Sequence, residues 1–128
     1  MAEVELVLSI VAVREVARAR AFYGAVLGWA VAVETPVYVE LRSPRGARLG
    51  LYQRDGFARN VGRTPIAAQG EELHAAELYF AAEDPGAALD RAVAAGGRWL
   101  SPLAPRPWGD EVGYVADPDG HVVAIASR

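Results

Sequence analysis

A chain of 128 residues, 52% hydrophobic and 23% charged, is long enough to bury one core and too short for two independent ones, so a single domain over 1–128 is expected. The net charge of -3 combines 16 acidic residues with 13 basic ones, all arginine, and offers no basic face to nucleic acid. With no cysteine, disulfides, thiolate nucleophiles and cysteine-based metal sites are excluded, and any metal would need His and carboxylates.

Val4–Val13 is an apolar, β-branched run of strand length. It contains Glu5 and lacks a basic leader, so a buried strand is expected rather than a signal peptide. No stretch approaches the roughly 18 apolar residues of a membrane span, and a cytoplasmic protein without membrane contact is the expectation. From Arg14 to Gly28, residues Ala19, Phe22, Tyr23, Val26 and Leu27 recur at helical spacing and Gly28 stands at the helix end. Trp29–Glu34 and Pro36–Arg42 read as strands, and the turn "SPRG" leads into a third, Arg48–Gln53. Residues 57–72 show no periodicity and are expected as a linker or mobile loop.

The order then repeats. Ala75–Ala82 predicts a strand, Pro85–Ala95 a helix with Leu89, Ala92 and Val93 on one face, and Arg98–Leu100, Val112–Ala116 and Val122–Ser127 three further strands. A shift of 69 lays Arg14-Glu15 on Glu83-Asp84 and Gly28 on Gly97, which points to an internal duplication in element order. The fold class expected is α/β (α+β): two βαβββ modules, one over about 4–56 and one over about 74–128.

Alternation in the first module divides two faces. Val37, Val39, Leu41, Leu49 and Leu51 fall on one, and Tyr38, Glu40, Arg42, Arg48, Gly50 and Tyr52 on the other. The first suits a helix-covered core. The second mixes phenols with charge, as a ligand-binding concavity does.

"AFYGAVLGW" at 21–29, "AAGG" at 94–97 and "PWGDEVGYVADPDGHVVAIA" at 107–126 together resemble the vicinal oxygen chelate superfamily, which includes glyoxalase I, extradiol dioxygenases and the fosfomycin- and bleomycin-resistance proteins. The resemblance implies an open barrel of two modules around a central cavity, and commonly a homodimer. Metal-binding members carry four ligands in that cavity. Carried onto this sequence, the positions are Leu8, Gly50, Glu77 and Ala124, of which only Glu77 has a donor. One carboxylate cannot hold a divalent metal in fixed geometry. His74 and His121 lie three residues before ligand positions, an offset that turns a strand side chain to the opposite face.

The resemblance is therefore nearest to the metal-free, bleomycin-resistance-like members. It implies a binding protein with no metal, no cofactor and no catalytic residue, sequestering a small aromatic natural product or metabolite. The ligand-binding residues expected are Tyr38, Glu40, Tyr52, Glu77, Tyr79 and Trp108, where aromatic faces suit a planar or cationic ligand and the two glutamates favour a cation, an effect that Arg42 and Arg48 are expected to offset in part. The alternative is a metal-dependent lyase, isomerase or dioxygenase of the same superfamily. A module that binds no small molecule is a third reading.

Overall fold

A computed structural model describes residues 2–128. The elements run β1 (Ser9–Val13), α1 (Val16–Leu27), β2 (Ala30–Glu34), β3 (Tyr38–Arg42), β4 (Arg48–Gln53), α2 (Arg54–Val61), β5 (Glu77–Ala82), α3 (Pro85–Ala94), β6 (Arg98–Pro105), β7 (Glu111–Ala116) and β8 (Val122–Ser127). They form two four-stranded mixed sheets, ordered β1-β4-β3-β2 and β5-β8-β7-β6. The βαβββ order thus occurs twice, in an α+β architecture. The chain forms two compact units, one of residues up to Arg20 with Trp29–Pro65, the other of Ala21–Gly28 with Ile66–Arg128.

In the first unit β1 runs parallel to β4, and β3 lies antiparallel between β4 and β2. The register sets Tyr38 opposite Tyr52, Glu40 opposite Gly50 and Arg42 opposite Arg48, the pairing expected from the alternation. Val39, Leu41, Leu49 and Leu51 are buried, while Val37, ahead of β3, is half exposed.

Two expectations in this unit are corrected. The strand read as Val4–Val13 begins only at Ser9, and Val4 and Leu6 are 99% and 84% exposed. β1 pairs from Ser9 beside Leu49 onward, and β4 starts one residue before Leu49, so the partner strand runs out within one residue upstream of Ser9. The loop expected over 57–72 instead contains part of α2. It is polar overall, and it is held by local contacts. The Gln53 side chain accepts from the Asp55 amide, Gly62 ends the helix with φ +87°, and Gly56 packs so closely on the Tyr52 ring that a Cβ would lie 2.5 Å from it.

The second unit repeats the topology, with β5 parallel to β8 and β7 antiparallel between β8 and β6. Asp84 caps α3 by accepting from the Ala87 amide at 3.1 Å, with Pro85 opening the helix. Leu89 on α3 packs over Gly113, where a Cβ would sit 2.4 Å from its Cδ1. Arg91 on α3 donates to the Ala25 and Val26 carbonyls at 2.9 and 3.2 Å, satisfying acceptors at the end of α1. β6 extends to Pro105, five residues past the expected end. It lies at a sheet edge and its pairing is irregular between Trp99 and Ala104, so Pro102 and Pro105 are tolerated there.

Candidate functional site

On the first sheet, Glu40 is the centre of a polar cluster. Its carboxylate is 4% exposed as a residue and accepts from the Tyr38 hydroxyl at 2.8 Å and from Arg48 Nε and Nη2 at 2.8 and 3.2 Å. The two-pronged Arg48 contact is the strong geometry for a carboxylate. Those hydrogen bonds, Arg48's first, hold Glu40 below its ordinary pKa, while burial and the Glu40 contact push Tyr38 up to about 12. Tyr38 and Tyr52 meet edge to face at 5.5 Å, and Asn60 on α2 donates to the Tyr52 hydroxyl at 3.2 Å.

Gly50 stands opposite Glu40. A Cβ there would lie 2.5 Å from the Tyr38 hydroxyl and 3.0 Å from Ile10 Cγ1, so the Tyr38 phenol fills the space a longer side chain at 50 would occupy. Tyr38, Glu40 and Tyr52 are thus brought together as expected. Arg48, expected to offset the charge of Glu40 only in part, pairs directly with its carboxylate.

On the second sheet, Glu77, Tyr79 and Trp108 lie near the surface. Trp108 occupies the turn between β6 and β7, where Gly109 takes φ +102° and its amide reaches the Arg106 carbonyl at 3.0 Å. The indole Nε1 donates to the Tyr79 hydroxyl at 3.1 Å, and that hydroxyl donates to Asp110 at 2.5 Å. Both polar ends of the pair are therefore satisfied, although Trp108 is 57% and Tyr79 45% exposed. The Asp110 contact raises the pKa of Tyr79. Glu77 opens β5 two residues before Tyr79 and is exposed.

Sequence reasoning missed the residues that position this turn. Arg106 donates to the Val112 and Pro102 carbonyls and to Ser101 Oγ, with its guanidinium 5.1 Å from the Tyr114 ring centre. Asp110 accepts from Tyr79 and closes the turn through its carbonyl, 2.8 Å from the Arg106 amide. The only signal was the turn composition of "PRPWGDE", which announces a reversal but not its partners.

Of the four positions carried over for a metal, only Glu77 has a side-chain donor. Gly50 is covered by Tyr38, and Ala124 lies in an apolar cluster with Val112, Ala126 and Tyr114. In the parallel register Ala124 pairs with Tyr79, whereas Glu77 pairs with Val122. Among the described residues, no group of three His, Asp or Glu is arranged to hold a metal ion. His74 and His121, expected to point away from the ligand positions, stack on each other at 4.5 Å.

Residues 5–125 match the family model of the glyoxalase/bleomycin resistance protein/dioxygenase superfamily. The chain belongs to this superfamily. Among solved structures, a glyoxalase-related enzyme from Fulvimarina pelagi is 27% identical with a TM-score of 0.83, over 97% of this chain and 88% of that one. A glyoxalase/bleomycin resistance protein/dioxygenase family enzyme from Burkholderia phytofirmans PsJN is 16% identical with a TM-score of 0.79, covering 97% and 98%. TioX from Micromonospora sp. ML1 is 21% identical with a TM-score of 0.65, covering 96% and 98%. No protein with a curated description matches the sequence significantly. The superfamily's fold is seen in both sheets, each with its parallel first and last strands. No helix among the described residues is long and apolar enough to cross a membrane.

Proposed function

We propose that this superfamily member is a metal-independent binding protein for a small planar aromatic molecule, acting as a homodimer. The observation that carries the reading is the exposed indole of Trp108, fixed to Tyr79 and through it to Asp110. An aromatic face held in place by hydrogen bonds while open to solvent is pre-organised for stacking, because little side-chain freedom is lost when a ligand arrives. The carboxylates nearby, Asp110 and Glu77, favour a ligand with a positive charge. The donor-poor ligand positions Leu8, Gly50 and Ala124 support the metal-independent form of the reading over a metal-dependent lyase, isomerase or dioxygenase.

The test is fluorescence of a variant that keeps Trp108 alone, with Trp29→Phe and Trp99→Phe. A panel of planar aromatic cations and their neutral counterparts should include compounds that quench it saturably. Trp108→Ala should weaken binding of those compounds by roughly 1–3 kcal/mol, and Glu77→Gln should weaken cations more than neutral analogues. Binding that depends on an added divalent metal and survives Trp108→Ala would favour the enzyme reading instead.

A further inference from the structure

The β7–β8 turn, "DPDGH" at 117–121, is built around Asp117. One carboxylate oxygen accepts from the Asp119 and His121 amides at 2.8 and 2.9 Å. The other accepts from the Tyr23 hydroxyl at 2.5 Å and faces His121 Nδ1 at 2.8 Å. An ionised carboxylate only accepts, so the geometry fixes the proton of His121 on Nδ1. Although burial alone would raise it, Asp117 is held below its ordinary pKa by its contacts with His121 and Tyr23.

A second segment is seated on this turn. Its Gly70 carbonyl accepts from Arg98 on β6 at 2.9 Å, and Gln69 and Glu72 exchange hydrogen bonds, amide to side chain and amide to carbonyl. The His74 amide donates to the Gly120 carbonyl at 2.9 Å. Gly120 has φ +86°, and a Cβ on it would lie 2.6 Å from Ala68 and 3.0 Å from the Glu72 carbonyl, so backbone meets backbone here. The His74 ring then lies on the His121 ring at 4.5 Å with 19° between planes.

We propose that the His74–His121 stack is an acid-released latch that fastens the connection into β5 onto the β7–β8 turn. A charge on His74 must be carried against a partly buried environment and beside a second ring that itself sits against Asp117. Among the described residues, the ionisable groups linked to the pair are Asp117 against His121, Asp119 in the same turn, Tyr23 of α1 through Asp117, and Arg98 of β6 through the Gly70 carbonyl of the segment. Burial first, and then the charge of His121, hold His74 below the ordinary imidazole pKa of 6.5, with Asp117 and Asp119 opposing. A base with a depressed pKa in the latched state takes up protons more readily once released, so latching is at full strength above about pH 6.5 and weakens as pH falls through the lowered value. The latch leads into β5, which carries Glu77 and Tyr79.

The test is amide hydrogen exchange of the full-length protein, followed by NMR from pH 7.5 to 5 and corrected for the pH dependence of intrinsic exchange. Protection of the His74 amide should be constant near pH 7 and fall about tenfold for each unit by which the His74 pKa is depressed. His74→Phe and His74→Asn should each abolish that fall. Titration of the His74 ring protons in the unmodified protein should give a midpoint below 6.5, a readout independent of how the variants fold. A midpoint at or above that value, constant protection through pH 5, or the same fall in both variants would each overturn the latch.

Discussion

The two sheets share strand order and register yet carry opposite chemistry on equivalent positions. Ile10 beside Gly50, with Glu40 across from Gly50, corresponds to Tyr79 beside Ala124, with Tyr114 across from Ala124. The first sheet places a buried carboxylate at its centre and must neutralise it with Arg48 and Tyr38. The second fills its centre with Val112, Ala124 and Ala126 and moves its polar groups out to Tyr79, Asp110 and Trp108. One topology can thus hold a closed polar network or an apolar floor with a polar rim. The backbone hydrogen bonds that define the topology do not depend on which side chains stand on the free face.

If the sheets differ only on those faces, their opposite faces should respond alike to damage. Leu51→Ala in the first and Leu89→Ala over the second each remove a fully buried side chain, and each should cost about 2–5 kcal/mol, measured by urea unfolding. A cost near zero for either would show that the two cores are unequal.

The glycines sharpen the comparison at a smaller scale. Gly113→Ala drives a methyl into Leu89 and Gly50→Ala drives one into Tyr38, with roughly 1–3 kcal/mol expected for each overpacked site. Because Tyr38 is the group displaced, Gly50→Ala should cost much less in a Tyr38→Ala background, whereas the cost of Gly113→Ala should be unchanged there. Equal costs of Gly50→Ala in both backgrounds would mean that Tyr38 does not fill this space.

The smallest effect is in acid. Glu40, with its pKa lowered in the folded state, contributes stability that is present above its ordinary value of 4.5 and is lost as pH falls through the lowered value. Asp117 acts in the same direction from the second sheet, below its ordinary 3.8. Glu40→Gln should therefore flatten part of the acid limb of a stability–pH curve and leave the Asp117 part. An unchanged limb would remove Glu40 from the account.

Strands and helices with strong periodicity were legible: β3 and β4 alternate cleanly, and α3 announces itself with Asp84, Pro85 and an apolar face. Elements that depend on a neighbour were not. α2 is short and polar overall and packs on Tyr52, while β6 runs through two prolines because its outer edge needs no partner. For the candidate site, the alternation put Tyr38, Glu40, Arg48 and Tyr52 on one face, but not which of the two arginines there, Arg42 or Arg48, would pair with the Glu40 carboxylate. Likewise, Trp108 was visible as a turn aromatic, without its link to Tyr79, which lies 29 residues from Trp108 and 31 from Asp110.

The sequence by itself determined the duplicated βαβββ order, the side-chain faces and the absence of donors at three carried-over metal positions, because period, turn residues and side-chain identity are local properties of the chain. Tertiary structure alone decided where β1 gains a partner, which charge neutralises Glu40, and that His74 meets His121 across 47 residues of sequence. Those outcomes depend on distances between segments, and a hydrogen bond or a stacked ring forms only when the fold brings both partners within a few ångströms.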